Sequence, residues 1–225
     1  MNIYYKNHRN LVRQGFTEKY KFPIGDGRTM PSLNIQHQKH DILLEEIKEL
    51  IDALSKRDLK EVLDALCDIE FVVHGAMDSY GFDFDEDRFK KECDADFNIS
   101  FHEIADYFSI NYRAYCFSGD LKSIEDLFYK ILVFHYNKTG AYYYNFTTDS
   151  LRKYELAFLE VCRSNSTKSC KSKDALHATI AQPKYKGVKF IHVEKNGEFA
   201  LYRKDNGKLI KSIDYSPADV SPFIP

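Results

Sequence analysis

The stretch that decides the fold is residues 40–74, "HDILLEEIKELIDALSKRDLKEVLDALCDIEFVVH". Its apolar residues recur at the spacing that places them on one face of an α-helix. Two such faces are separated by a short break, so the stretch predicts helices over about 38–56 and 58–80 that form an antiparallel hairpin. The first face consists of Leu43, Leu44, Ile47, Leu50, Ile51 and Leu54, and the second of Val62, Leu66, Ile69, Val73 and Ala76.

Two stripes of acidic residues accompany these apolar faces. Glu46 and Glu49, three residues apart, project from the flank of the first face, and Glu45 lies further toward the outer side. The second helix carries its own acidic stripe, formed by Glu61, Asp64 and Asp68. In an antiparallel hairpin the two stripes meet, and neighbouring carboxylates repel one another unless a cation lies between them.

A cluster of carboxylates without His or Cys is typical of sites for hard divalent cations. The cluster therefore predicts a Mg²⁺ site, with Mn²⁺ as the alternative metal. The competing interpretation is a solvated outer helix face, on which acids are normally paired with Lys four residues on. Glu45, Glu46 and Glu49 have no such partner, because Glu49, Leu50 and Ala53 occupy those positions.

Composition and charge narrow the function classes. The chain has 225 residues, 44% of them hydrophobic, which is enough to fill a core. Its 32 Lys and Arg against 34 Asp and Glu give a net charge of −2, without the basic excess of a nucleic-acid-binding protein. No apolar run approaches a membrane span, and the five cysteines show neither C-x-x-C nor zinc-ligand spacing. We therefore expect a cytoplasmic protein with reduced thiols and with no nucleic-acid or membrane partner.

Outside the acidic hairpin the sequence predicts a mainly α-helical fold. Further helical patterns lie at about 84–96, 100–117, 120–138 and 150–163, and one helix is expected around 7–20. Residues 187–214 alternate around "KNG" and "DNG", which predicts a small three-stranded antiparallel β-meander. We divide one compact domain into a loop-rich lead-in (1–37), acidic metal-binding helices (38–98), a second helical segment ending in "SNSTK" (99–170), and the meander with a Pro-rich tail (171–225).

A faint internal repeat relates residues 40–74 to residues 102–136, which align without gaps and share the run Asp-Leu-Lys. The second copy has lost most of the acids, whereas "SNSTK" (164–168) follows only the second copy. One interpretation is a fused pseudo-dimer with a single composite site, in which one half binds metal and the other binds substrate. The alternative is a plain helical insertion.

The order E-E-x-x-E, a spacer, and E-x-x-D with a further Asp resembles the all-α NTP pyrophosphohydrolases, which include MazG-like proteins, phosphoribosyl-ATP pyrophosphohydrolases and dimeric dUTPases. "FTEKYKFP" is similar to the lead-in of that group, "DIEFVVHGAMDSYGFDFDE" to its second helix and following turn, and "VCRSNSTK" to the S-N-x-[ST]-K segment of phage and bacterial MazG-like members. "GKLIKSIDYSPADV" resembles the C-terminal strand and tail of that subgroup. The resemblance covers most of the chain outside about 97–150. It implies a helical bundle and a homo-oligomer, with a dimer expected.

The resemblance also implies roles for the acidic residues. The metal ligands would be Glu46, Glu49, Asp68 and one of Glu61 and Asp64, with Glu45 in an outer position or alternating with them. Many MazG-like sequences carry Glu where this chain has Ala65, so the choice between Glu61 and Asp64 stays open. Ser164, Asn165 and Lys168 would contact the substrate.

The chemistry that the resemblance implies is attack of water on the α-phosphorus of a (deoxy)nucleoside triphosphate, which yields the monophosphate and pyrophosphate. Glu46 or Glu49 would accept the proton of the water, and Lys168 would neutralise the phosphates. Activity on dUTP or phosphoribosyl-ATP is the alternative within the family. A non-catalytic bundle that binds a nucleotide or a partner is the alternative from another class.

Aromatic residues are the candidates for binding the base of a nucleotide. Phe16, Tyr20 and Phe22, or the run at residues 142–144, could stack on a base, although such residues are more often part of a core. Glu70 falls within the apolar face without explanation, and His74 is interpreted as a buried core residue.

Overall fold

The computed structural model describes the backbone of residues 5–94, 97, 99–143 and 148–224, and the side chains of these residues outside 140–151. The helices and strands are α1 (Tyr5–Val12), which continues into a π-helical turn (Arg13–Thr17), α2 (Leu33–Lys56), α3 (Leu59–Tyr80), α4 (Glu86–Asp94), α5 (Ile104–Ser118), α6 (Leu121–Tyr143), α7 (Thr148–Ser166), α8 (Lys173–Ile180), β1 (Phe190–Lys195) and β2 (Glu198–Arg203). The expected mainly α-helical fold with a small C-terminal antiparallel sheet is confirmed.

The acidic hairpin is formed by α2 and α3, which join at Arg57 and Asp58. Arg57 ends α2 in a left-handed conformation, with φ 57°. The Asp58 side chain then accepts hydrogen bonds from the backbone N–H groups of Lys60 and Glu61, each at 3.2 Å, and so caps α3. The predicted apolar faces are buried between the helices and carry the centre of the core, at Leu43, Ile47, Leu50, Val62, Leu66, Ile69 and Val73.

A second hairpin, α5 and α6, packs beside the first, with α2 against α5 and α3 against α6. The next helix, α7, lies along α3, which brings its C-terminal end back to the acidic hairpin. This pairing of like helices is what a fused pseudo-dimer would need. The internal repeat, the division into four segments and the expected dimer stay predictions.

The lead-in is fastened to the end of α3 by close backbone contact. The N–H of Gly25 donates to the Asp78 carbonyl at 2.9 Å, and the N–H of Gly27 donates to the Tyr80 carbonyl at 3.1 Å. A Cβ atom at Gly81 would lie 2.3 Å from the Gly27 nitrogen, so no larger residue fits there without backbone movement. This contact fixes the aromatic residues that precede the loop beside α3.

The C-terminal sheet differs from the predicted meander because it has two strands. Residues 190–195 and 198–203 pair antiparallel, whereas the third segment contributes only one bridge, between Tyr202 and Leu209. After Ile210, whose N–H still donates to the Leu201 carbonyl, the chain turns to the end of α7. There the N–H of Ser212 donates to the Lys168 carbonyl at 3.3 Å. We call residues 207–212 the C-terminal arm.

The helices also differ from the prediction in places, most clearly at the start of α2 and at α8. α2 begins at Leu33 rather than near residue 38, because Leu33 and Ile35 do not show helical spacing and the run 36–41 that follows them is polar. α8 was not predicted, since eight residues are too few to display a helical period. Its start is set by Ser172, whose side chain accepts a hydrogen bond from the Ala175 N–H at 3.1 Å. None of the described helices has the length and apolar character needed to cross a membrane.

Candidate active site

A cavity of about 500 Å³ lies between α2, α3, the end of α7 and the C-terminal arm. We call it the acidic cavity. It brings together every metal-binding, catalytic and phosphate-contacting residue expected from the sequence, which come from the adjacent helices α2 and α3 and from the distant segment at the end of α7. The lining includes Glu45, Glu46, Glu49, Glu61, Asp64, Asp68, Ser164, Asn165 and Lys168.

The most deeply placed acids are Glu46 on α2 and Asp68 on α3. Burial raises the pKa of Glu46 well above its ordinary value, and the charges of Asp68 and Glu49 raise it further. Burial likewise raises the pKa of Asp68, with a further contribution from Asp64, while Lys168 opposes the shift. The facing carboxylates therefore hold protons more tightly than isolated ones do, because a negative charge here lacks a sufficient counter-charge.

The outer acids of the cavity differ in exposure. Burial and then the charge of Glu61 raise the pKa of the half-buried Asp64, and burial and then Glu45 raise that of Glu49. Glu61 is exposed at the rim. Glu45 is also exposed, and both of its oxygens accept from the Lys208 ammonium, at 3.0 and 3.3 Å.

The donor chemistry of the cavity fits Mg²⁺ or Mn²⁺, because its described lining contains six carboxylates and neither His nor Cys. Among the described residues no three His, Cys, Asp or Glu side chains converge closely enough to share an ion. Mutual repulsion of the carboxylates accounts for this spread arrangement. Binding of a metal would thus require rotation of side chains that already line one space.

The residues 164–168 form the wall opposite the acids, at the end of α7. Ser164 and Asn165 are buried, and their side chains donate to the Tyr215 hydroxyl at 3.2 Å and to the Val161 carbonyl at 3.0 Å. Lys168 is half-buried, and burial lowers the pKa of its ammonium while the charge of Asp68 opposes that shift. Lys168 is therefore the cation of this segment that faces the acids. Roles for Ser164 and Asn165 in substrate binding stay predictions.

Several lining residues were not expected from the sequence. Lys39 is half-buried at the α2 end of the cavity, and burial lowers the pKa of its ammonium to about 8. Lys60 lies at the start of α3, and Lys208 and Lys211 enter from the C-terminal arm. In a regular third strand, Lys208 and Lys211 would project to opposite faces. Because strand pairing stops at Ile210, both can line the same space, and no local sequence pattern reveals this.

One end of the cavity is aromatic. Phe16 and Phe22 line it with stacked rings 5.2 Å apart, and Phe16 meets Phe71 of α3 edge to face at 4.9 Å. The Lys39 ammonium lies 5.5 Å from the centre of the Phe22 ring. Tyr20 instead points away from this lining, since its hydroxyl donates to the Ser166 carbonyl at 2.6 Å. The side chains of residues 142–144 lie outside the described residues.

A buried polar network behind Asp68 explains Glu70, whose carboxylate is fully buried. It accepts from His8 of α1 and from Tyr154 of α7, each at 2.7 Å. Burial alone would raise the pKa of Glu70, but the charge of His8 and hydrogen bonds from His74 and His8 outweigh it and hold that pKa far below its usual range. His74 is buried as expected. The network ties α1 and α7 to α3 and so fixes the α3 face that carries Asp68.

Comparison with known proteins gives a match over the segment that carries the cavity acids. Residues 29–88, which contain all six cavity acids, match the family model of phosphoribosyl-ATP pyrophosphohydrolase. The chain is also similar to an uncharacterized protein of Acanthamoeba polyphaga mimivirus, at 28% identity over 199 residues and 76% coverage of each chain. No solved structure matches the chain. The family match supports a nucleotide pyrophosphohydrolase type of activity. The resemblance expected from the sequence is thereby confirmed: over residues 29–88 the chain matches the phosphoribosyl-ATP pyrophosphohydrolase family, within the MazG-like all-α NTP pyrophosphohydrolase superfamily.

Proposed function

We propose that this protein is a Mg²⁺-dependent pyrophosphohydrolase, with Mn²⁺ as a substitute metal, that converts a (deoxy)nucleoside triphosphate into the monophosphate and pyrophosphate. The observation that carries the proposal is the acidic cavity itself. Six carboxylates from α2 and α3 line one space together with Lys168, which follows the end of α7, and with the aromatic rings of Phe16, Phe22 and Phe71. A metal-bound triphosphate with an attached base needs these three kinds of surface.

The residues proposed to hold the metal are Glu46, Glu49, Asp68 and Asp64. Asp64 is favoured over Glu61 because it is half-buried inside the cavity, whereas Glu61 lies exposed at the rim. Bound divalent ions would neutralise phosphate oxygens and acidify a water molecule for attack on the α-phosphorus. The raised pKa values of these carboxylates support the assignment, since clustered acids without a cation are costly.

Two further steps, acceptance of the proton of the attacking water and neutralisation of the phosphates, are assigned to side chains that line the cavity. Glu46 or Glu49, whichever keeps a carboxylate oxygen that is not bound to metal, is the proposed proton acceptor for the attacking water. Lys168 lies on the opposite wall, where its ammonium can bind phosphate oxygens and compensate the charge that develops on the departing pyrophosphate.

The aromatic end is the proposed site of the base. Phe16 and Phe22 present ring surface to the cavity beside Lys39. Stacking on such rings is tolerant of base identity, and Lys39 adds a donor for ring nitrogen or carbonyl acceptors. The substrate would then extend from the aromatic end, past the acids, toward Lys168.

The experiment is release of pyrophosphate by the purified full chain from a panel of ribonucleoside and deoxyribonucleoside triphosphates, with dUTP and phosphoribosyl-ATP included. The family match gives a specific reason to test phosphoribosyl-ATP. We expect turnover that requires Mg²⁺ or Mn²⁺. Nucleotides that stabilise the protein without any release of pyrophosphate would instead indicate a non-catalytic binding bundle.

A double variant, Glu46→Gln with Asp68→Asn, links the activity to the acidic cavity. We expect it to lose at least about a thousandfold in kcat, because it removes both deep carboxylates. Glu194→Gln is the matched control, since Glu194 lies exposed on β1 outside the cavity. Full activity in the double variant would overturn the proposed site.

A further inference from the structure

The C-terminal arm crosses the edge of the acidic cavity and places two cations there. Lys208 and Lys211 both line the space into which Glu46, Asp68 and Lys168 face. Lys208 pairs with Glu45, and Lys211 lies over the Tyr215 ring, with its ammonium 4.7 Å from the ring centre. Both side chains are exposed on their outer side.

The arm is held at both ends by hydrogen bonds to the walls of the cavity. At one end the Gln38 side chain, on α2, donates to the Gly207 carbonyl at 2.6 Å. At the other end the Ser212 hydroxyl donates to the Ser169 carbonyl at 2.9 Å, next to Lys168. Between these points the N–H of Ile210 donates to strand β2 at 2.8 Å. The arm therefore bridges α2 and the end of α7 and presents its lysines from a fixed backbone.

The balance of charge indicates what these lysines bind. The described lining of the cavity contains six acids, set against five lysines: Lys39, Lys60, Lys168, Lys208 and Lys211. If all of these groups were charged, the two sets would nearly cancel. Once a divalent cation neutralises the acids, the same space becomes net positive, and a ligand with several negative charges restores the balance. The exposed pair between Lys208 and Glu45 is weak, so it can exchange for such a ligand.

We propose, building on the function proposed above, that the C-terminal arm is a phosphate-binding strap, in which Lys208 and Lys211 bind the terminal phosphates of a metal-bound triphosphate and the pyrophosphate product. Lys208 would leave Glu45 when a phosphate takes the place of that carboxylate. The strap and Lys168 would then hold the outer phosphates from two sides. The alternative is that these lysines do not bind phosphate and serve only as counter-charges to the acids.

The test uses inorganic tripolyphosphate with Mg²⁺ as the probe and calorimetric titration of the full chain as the readout, so that it does not depend on turnover. We expect Lys208→Ala and Lys211→Ala each to weaken tripolyphosphate binding roughly tenfold, because each removes a charge-assisted hydrogen bond. Lys204→Ala is the matched control, since Lys204 is exposed at the end of the same hairpin and does not line the cavity. Lys208→Arg should retain most of the affinity.

Two outcomes would overturn the strap. One is that both alanine variants bind tripolyphosphate as tightly as the unaltered protein and bind Mg²⁺ more tightly than it does. That result is expected if the lysines serve only as counter-charges to the acids, since they would then compete with the metal. The other is no binding of tripolyphosphate by the unaltered protein. If an alanine variant loses its fold, Lys208→Gln and Lys211→Gln repeat the comparison. If tripolyphosphate binding depends on the two lysines but no nucleotide is hydrolysed, the proposed activity is refuted and the phosphate-binding strap is supported. If nucleotides are hydrolysed and the lysine variants keep an unchanged KM, the strap is refuted and the proposed activity is supported.

Discussion

Replacing Glu46 by Gln should stabilise the metal-free protein while removing its response to Mg²⁺. Glu46 is half-buried in the acidic cavity, and burial together with Asp68 and Glu49 raises its pKa above the ordinary value of 4.5. The folded protein therefore binds this proton more tightly than the unfolded chain does. It follows that the metal-free protein loses stability as the pH rises above 4.5 toward neutrality, where the carboxyl is forced to ionise among other acids. Gln keeps the shape and removes the charge.

The size of the expected change in the free energy of unfolding follows from the pH interval over which the carboxyl is forced to ionise. Between pH 4.5 and neutral pH one strongly shifted carboxyl can contribute at most about 3 kcal/mol, at about 1.4 kcal/mol for each pH unit. Because the side chain lines a cavity open to solvent and Lys168 lies opposite, we expect about 1–2 kcal/mol for Glu46→Gln. In a chain of 225 residues this corresponds to an increase in Tm of roughly 2–8 °C.

The assay is thermal unfolding in a chelator and in excess Mg²⁺, from pH 4.5 to neutral pH. With chelator, the variant should be more stable near neutral pH, and the difference should vanish toward pH 4.5. With Mg²⁺, the unaltered protein should gain stability and the variant should not, because ligand binding to the folded state alone raises Tm. If Glu46→Gln leaves the metal-free Tm unchanged and still responds to Mg²⁺, then Glu46 is a solvated surface acid and the site reasoning fails.

Three further predictions concern the frame of the site and its aromatic end. Gly81→Ala should lower the free energy of unfolding by at least about 2 kcal/mol, measured by denaturant unfolding, because Gly81 has φ 78° and lies against Gly25 and Gly27. Gly15→Ala, the control, should lower it far less, because no atom lies within 4 Å of the position of the added Cβ. Glu70→Gln should lower the free energy of unfolding by about 2–4 kcal/mol at neutral pH, measured by the same denaturant unfolding. Because folding lowers the pKa of Glu70, the difference in stability between the variant and the unaltered protein should shrink as the pH falls below 4.5. Phe22→Leu should raise KM for nucleoside triphosphates by roughly 5- to 30-fold, since stacking on a base contributes about 1–2 kcal/mol, while the affinity for tripolyphosphate stays unchanged. An equal loss of affinity for both ligands would refute a base site there.

The acidic hairpin could be predicted from the sequence because its information is local. Apolar residues at helical spacing fix the buried faces of α2 and α3, and Glu46 and Glu49 then have to emerge at the flank of one face. Asp58, next to the break, supplies the cap that starts the second helix. Each of these features depends on residues that are close together in the chain, so periodicity and capping suffice.

The remainder of the cavity depends on tertiary contacts that no local pattern encodes. Lys208 meets Glu45 across 163 residues of chain, and its segment was expected to be a regular strand. The polar role of Glu70 could not be predicted because its partners, His8 of α1 and Tyr154 of α7, are more than 60 residues away from it in the chain. The place of "SNSTK" opposite the acids came from family resemblance, since its residues alone suit an ordinary helix end.

The central claim, attack of water on the α-phosphorus in the acidic cavity, is tested most directly by turnover in ¹⁸O-labelled water with Mg²⁺. The purified chain is supplied with the nucleotide that it hydrolyses fastest, and both products are analysed by mass spectrometry. The account predicts one labelled oxygen in the nucleoside monophosphate and none in the pyrophosphate. Label in the pyrophosphate, release of orthophosphate as the first product, or no hydrolysis of any nucleotide would contradict it.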